Sequence, residues 1–227
     1  MTTHSAYSPP QEDPTFVPTS SGPVIPGLEN LHYPLSFSFK IAAFAPQLSV
    51  TDASGRQIIY IKQKLFKFKE KVEVFSDKSK SVRLGTIQAN KVIDWSARYF
   101  FATEGGKALG SVGRKGMRSL WKASYETFTH VSQQPMYQIT EENPLAKVFD
   151  SLLGEVPILG FATSYLFNPK YGAITHGSGE TVMRLTKKPA FFEGKFELEK
   201  LGDLTHDQES NLILSFIMLV LLERARG

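Results

Sequence analysis

The chain has 227 residues, of which 41% are hydrophobic and 21% are charged, proportions that are ordinary for a globular protein. It contains no cysteine, which excludes a disulfide framework, a thiol nucleophile and a zinc site with cysteine ligands. A single barrel or sandwich reaches this length, so we expect one domain. Residues 1–10 hold no Lys, no Arg and no apolar run, so we expect no signal peptide and a cytoplasmic location.

The net charge of +4 is unevenly distributed along the chain. Residues 56–122 contain 16 Lys and Arg against 5 Asp and Glu, whereas the rest of the chain is acidic. A positive surplus confined to one stretch favours an anionic partner.

The first 34 residues contain 7 of the 13 prolines, separated mainly by Ser and Thr. Proline removes a backbone donor and fixes φ, so this composition favours neither a helix nor a ladder of strands. The sequence therefore predicts a disordered tail over residues 1–34, followed by one domain over residues 35–227.

Strand-like runs separated by short turn sequences follow from Leu35 onward. Apolar and polar residues alternate over residues 35–41, as in a half-buried strand. Five turn sequences rich in Gly, Asp and Ser each lie between two such runs, at residues 51–55, 76–80, 103–106, 129–134 and 176–179. The first four begin about 26 residues apart, a spacing that indicates a meander of hairpins rather than βαβ units.

The stretch between the fourth and fifth turns contains a helix-like pattern over residues 143–154. Asn143 and Pro144 suit a helix start, and Gly154 suits its end. The apolar positions between them recur with helical spacing, at Leu145, Val148, Phe149, Leu152 and Leu153. We expect this helical insert to cover an open end of the sheet, and contact with a membrane is the alternative.

A second predicted helix, over residues 206–224, determines the expected architecture. Thr205 and Gln208 have the spacing of a capping box. Residues 212–222 are apolar except for Ser215, and at about 1.5 Å per residue they are too short for a bilayer of about 30 Å. A helix that is apolar all round must be surrounded by protein. We therefore predict a mainly β fold, a closed antiparallel β-barrel of about twelve strands around a central apolar C-terminal α-helix.

This pattern resembles the LURP-one-related family of the tubby C-terminal-like superfamily, with the phospholipid scramblases as more distant relatives. The resemblance extends over about residues 40–225. Three runs carry it, at residues 58–66, 72–77 and 191–198.

The resemblance implies a twelve-stranded barrel around a central helix. It also implies a link to membranes, because tubby domains bind phosphoinositide head groups and scramblases act at membranes. The LURP-one-related group has no agreed biochemical activity. The chain lacks the cysteine-rich stretch and the acidic calcium loop of scramblases, which argues against scrambling.

No arrangement of residues typical of an active site is present in the sequence. The five histidines have no metal-ligand spacing, and the Gly-rich run at residues 110–116 matches neither phosphate-loop pattern. Adjacent Glu141 and Glu142 point to opposite faces of a strand, so they cannot act as a carboxylate pair. We expect a protein that is not an enzyme and that uses no metal or cofactor.

The candidate binding residues are basic and fall into two groups. In the first group, alternate positions place lysines on one face of a strand and apolar residues on the other. The candidates are Lys62, Lys64, Lys67, Lys69 and Lys71 in the first group and Arg114, Lys115 and Arg118 in the second. Lysines along a strand also keep an edge soluble and unpaired, which is the alternative interpretation.

Two functional hypotheses follow from these residues. The first is a non-enzymatic, peripheral membrane module that binds anionic phospholipid or phosphoinositide head groups through the basic residues. The second is a structural or protein-interaction domain without a lipid role, which contacts a protein partner through the N-terminal tail. Nucleic-acid binding is a weaker alternative, because no nucleic-acid-binding motif accompanies the charge.

Overall fold

The computed structural model describes residues 25–40, 47–62, 71–90, 97–115, 124–142, 169–190 and 193–224. Within them it contains twelve β-strands followed by one α-helix. The elements are β1 (Leu35–Lys40), β2 (Gln47–Thr51), β3 (Gln57–Lys62), β4 (Val72–Phe75), β5 (Arg83–Ala89), β6 (Arg98–Thr103), β7 (Ala108–Arg114), β8 (Ser124–Phe128), β9 (Tyr137–Glu141), β10 (Lys170–Thr175), β11 (Thr181–Lys188), β12 (Glu193–Lys200) and α1 (His206–Arg224). The predicted helix over residues 143–154 and the first 24 residues of the predicted tail lie outside the described residues.

Each strand pairs antiparallel with its neighbours in the sequence, and β1 pairs with β12 to close the ring. The predicted fold class is thereby confirmed. All five predicted turn sequences connect two paired strands: β2 to β3, β4 to β5, β6 to β7, β8 to β9 and β10 to β11. Turn chemistry is a local property of the chain, which is why the sequence places these hairpins correctly.

The meander gives the barrel two different ends. Because neighbouring strands run in opposite directions, successive connections alternate between the ends. The five turns lie at one end, which we call the hairpin end. At the opposite end, which we call the loop end, the odd-numbered strands finish and the even-numbered strands begin.

In strand β1, alternation decides which residues enter the barrel. In β1, Leu35, Phe37 and Phe39 are buried, and the residues between them face outward. The register places Leu35 beside Leu198 and Phe37 beside Val50, so apolar side chains of neighbouring strands line the same inner surface.

Helix α1 fills the interior of the barrel. None of the apolar residues from Leu212 to Leu221 is more than 3% exposed, although they cover every side of the helix. Burial of each such aliphatic side chain stabilises the fold by about 1.5–3 kcal/mol. The helix and the inner faces of the strands bury each other, so the stability of each depends on the presence of the other. Among the described residues, no helix is long and apolar enough to cross a bilayer.

Hydrogen bonds fix the start of α1 and its position in the barrel. The backbone N–H of Thr205 donates to Oε1 of Gln208 at 3.0 Å, as the predicted capping box requires. The buried side-chain amide of Asn211 donates to the carbonyl oxygens of Phe128 at 2.9 Å and Leu109 at 3.2 Å. One polar residue in an apolar helix thus sets both its depth and its rotation against β7 and β8.

Residues 25–34 belong to the core, which corrects the predicted boundary of the disordered tail. Ile25 and Leu28 are 1% and 2% exposed and join the hydrophobic core. The Tyr33 hydroxyl donates to Oε1 of Glu209 at 2.7 Å, and Nζ of Lys200 lies 3.2 Å from the same oxygen. These contacts, together with the hydrogen bond from the Ala53 N–H to the His32 carbonyl at 2.8 Å, hold this short segment at the hairpin end despite its composition.

We expect Gly110→Ala to destabilise the protein by about 3 kcal/mol or more, because a Cβ there would overlap the Asn211 amide and the Phe128 carbonyl. The φ of Gly110 is also positive, at 136°. Urea unfolding measures the change. Gly106→Ala is the control, because its φ is 78° with no neighbour within 4 Å, and it should cost only about 1 kcal/mol. Equal losses would contradict the role of Asn211.

We expect Tyr33→Phe to lower the free energy of unfolding by about 1–3 kcal/mol, because it removes a donor from the buried Glu209 carboxylate. Burial and the hydrogen bond to Glu209 raise the pKa of Tyr33 well above its usual value, so the hydroxyl stays protonated and donates. The control is Tyr60→Phe, whose hydroxyl bonds to none of the described residues. An equally stable Tyr33→Phe protein would show that the contact does not anchor residues 25–34.

Candidate functional site

The described members of the predicted basic set lie at the loop end. Lys62 ends β3 and Lys71 precedes β4, while Arg114 ends β7 and Lys115 follows it. Lys62, Lys71 and Lys115 are exposed, and Arg114 is half-buried. The other four predicted residues, Lys64, Lys67, Lys69 and Arg118, lie outside the described residues.

The structure brings the two described groups to one end of the barrel but not to one patch. Strands β3 and β4 are separated from β7 and β8 by β5 and β6 in a ring of twelve. The predicted residues alone therefore mark two places on the circumference of the loop end.

Further basic residues, which the sequence analysis missed, extend this set around the end of the barrel. They lie at, next to or within two positions of the strand ends. We use the term basic rim for the complete described set: Lys40, Lys62, Lys71, Arg98, Arg114, Lys115, Lys170, Lys187, Lys188 and Lys195. These residues are spread over 155 positions of the sequence, from Lys40 to Lys195. They come to the same end of the barrel only because neighbouring strands run in opposite directions.

The acidic residues near the loop end are mostly engaged by other groups. Glu141 is 2% exposed. Carboxylates of Glu73 and Glu142 bind Arg83 at 2.8 Å and Arg184 at 2.9 Å, and both of these arginines lie outside the basic rim. Among the described residues, Glu126 and Glu193 complete the acidic set at this end. Among the described residues, the loop end therefore has a positive excess.

Lys115, Lys188 and Arg98 are members of the basic rim that contact other described residues. Nζ of Lys115 lies 2.9 Å from Glu126, and Nζ of Lys188 lies 2.8 Å from Glu197. The guanidinium of Arg98 stacks over the ring of Phe128 at 3.7 Å.

Several exposed lysines carry the available charge of the basic rim. Lys40, Lys62, Lys170, Lys187 and Lys195 form no ion pair with any residue in the described ranges. Exposed, unpaired ammonium groups on one end of a rigid barrel can meet a flat anionic surface without first breaking internal contacts.

The described residues show no arrangement suited to metal chemistry. Among them, no group of three or more His, Asp or Glu side chains is placed to hold a metal ion. His32, His130, His176 and His206 are exposed at the hairpin end.

Comparisons with known proteins add a structural likeness. No protein-family model matches the chain, and no curated protein matches it. Among solved structures, the chain is similar to the X-ray structure of a protein from Arabidopsis thaliana, with a TM-score of 0.49 and 13% sequence identity over 91% of this chain and 99% of that one. A likeness at this level carries no argument about function.

We expect Glu126→Gln to strengthen retention on immobilised heparin, because it frees Lys115 and adds one positive charge at the loop end. The exposed pair is worth less than about 1 kcal/mol, so stability should hardly change. Glu180→Gln, at the hairpin end, adds the same charge far from the basic rim and should strengthen retention less. Equal increases in the salt needed for elution would show that polyanion binding has no preferred end.

Proposed function

We propose that this protein is a non-enzymatic binding module that associates with anionic or phosphorylated membrane lipids through the basic rim. The observation that carries the proposal is the collection of exposed lysines at one end of the barrel, where, among the described residues, Glu141 is buried and Glu73 and Glu142 are paired with arginines. We also propose membership of the LURP-one-related family and a peripheral, cytoplasmic location, in line with the sequence resemblance.

The geometry of the barrel supports a surface as the partner. The exposed lysines without an ion pair among the described residues are spread around the loop end, on β1, β3, β10, β11 and β12. Charges spread in this way cannot converge on one small ion. They can all approach a plane of anionic head groups, where each contributes about 1 kcal/mol.

We expect the protein to sediment with vesicles that contain phosphatidylserine or phosphatidylinositol 4,5-bisphosphate, and not with vesicles of pure phosphatidylcholine. Binding should weaken as salt rises from about 0.05 to 0.5 M, because exposed charges are screened. Negligible binding to all vesicles at low salt would refute the proposal and favour a protein-interaction domain without a lipid role.

A matched pair of double variants tests whether the basic rim is the surface involved. Lys62→Gln with Lys71→Gln removes two charges from the loop end and should weaken vesicle binding about 30-fold. Lys80→Gln with Lys107→Gln removes two charges from the hairpin end and should have little effect. If the hairpin-end variant loses as much affinity, the membrane-facing surface is misassigned even though lipid binding stands.

A further inference from the structure

An exposed aromatic ring lies on the outer wall of the barrel, in the middle of β6. Phe100 is 45% exposed, whereas its neighbours Tyr99 and Phe101 are buried inside the barrel. The other exposed large hydrophobic side chains among the described residues lie in connections between elements, at Val82, Val131 and Leu201. An outward strand position that only has to remain soluble commonly carries a charged residue. A lone exposed ring would be ordinary, so the surroundings of Phe100 decide what it indicates.

A second ring and an arginine lie beside Phe100. The strand register places Phe100 opposite Ser111 of β7, and Ser111 opposite Phe128 of β8. The guanidinium of Arg98 covers the Phe128 ring at 3.7 Å. Ser111 lies between the two rings and is only 3% exposed, so the side chains around it cover it. We use the term aromatic wall for Arg98, Phe100 and Phe128.

Gly113 allows Arg98 to reach Phe128 across β7. The register places Arg98 opposite Gly113, and a Cβ on Gly113 would lie 3.8 Å from the Cβ, Cγ and Nε atoms of Arg98. The Arg98 side chain therefore lies over the backbone of β7, and a residue larger than alanine at this position would displace it. Stacking on the Phe128 ring then holds the charged group against the outer surface of the barrel.

Arg98 brings a positive charge to the aromatic wall without a carboxylate partner. Its side chain forms no ion pair with any residue in the described ranges. Glu126 lies in the same row of the sheet, but its carboxylate is bound by Nζ of Lys115 at 2.9 Å. A guanidinium that stacks on a ring through one face still has N–H donors along its edge, and these can bind a carboxylate through two parallel hydrogen bonds.

We propose that the aromatic wall binds a short acidic segment of another protein, in which a carboxylate pairs with Arg98 and an apolar side chain packs on Phe100. Arg98 and Phe100 are two positions apart on the outward face of β6, a separation of about 6.6 Å. Two residues at the same spacing in an extended peptide also share one face. The segment therefore carries Asp or Glu two positions from an apolar residue. Aromatic residues and arginine are the types enriched where proteins bind one another.

The closed barrel determines how such a segment can bind. Strand β6 pairs with β5 on one side and β7 on the other, so it has no free edge to which a strand could be added. Recognition must come from side chains on the wall. Phe100 faces sideways from the barrel, so the aromatic wall stays accessible when the loop end contacts a membrane. The inference thus goes beyond the proposed function and does not rest on it.

The test is a selection of random dodecapeptides displayed on phage against the full chain, which assumes no particular partner. We expect the enriched sequences to carry Asp or Glu two positions from Phe, Trp, Leu or Ile. A fluorescent copy of an enriched peptide then gives the Kd by anisotropy at about 0.15 M salt. Phe100→Ser and Arg98→Lys should each weaken this binding about 30-fold. Arg98→Lys keeps the charge but loses the planar donors.

Two matched variants serve as controls, and urea unfolding shows that each variant is folded. Val82→Ser removes an exposed apolar side chain from a turn, and Lys62→Gln removes a charge from the basic rim. Both should bind the peptide within about twofold of the unaltered protein. No enrichment, enriched sequences without an acidic residue, or an equal loss in Lys62→Gln overturns the peptide site and leaves the lipid proposal intact. Sedimentation equilibrium that shows a dimer, dissociated by Phe100→Ser, assigns the wall to a second copy and also overturns it.

Discussion

The structure depends on one constraint, which is that helix α1 has no polar face. Its residues from Leu212 to Leu221 are apolar on every side, so no single sheet could cover them. A closed ring of strands covers all sides at once and leaves no free sheet edge. Residues 25–34 complete the enclosure at the hairpin end, where Tyr33 reaches Glu209 at the beginning of the helix. Because the interior is filled by the chain itself, any ligand must use the outer wall or one of the two ends.

Closing the barrel as a simple meander also organises its charge. Every second strand end lies at the loop end, so lysines as distant in sequence as Lys40 and Lys195 lie on the same rim. Several carboxylates near that rim are buried or bound to Arg83 and Arg184, while the lysines remain exposed. The topology thus gathers much of the positive charge of a modestly charged chain at one end of the barrel.

Much of the fold follows from short stretches of sequence, whereas the site does not. Hairpin turns such as residues 76–80 and the capping box at Thr205 are local, and the all-apolar helix implies its own enclosure. By contrast, Ile25 and Leu28 are buried because they pack against the core of the folded barrel. The composition of residues 1–34 does not reveal this packing. The basic rim was predicted only where lysines cluster along the chain, at Lys62, Lys71, Arg114 and Lys115. Lys40, Lys170 and Lys195 join the rim through the strand order, which cannot be read from sequence spacing.

Helix α1, which fills the barrel, follows all twelve strands in the chain and is therefore synthesised after them. A ribosome releases all twelve strands before α1, and β1 must wait for β12 before the ring can close. Until then the inner faces of the strands have nothing apolar to cover them. We therefore expect the apolar inner faces of the strands to be covered only late, after α1 has been synthesised.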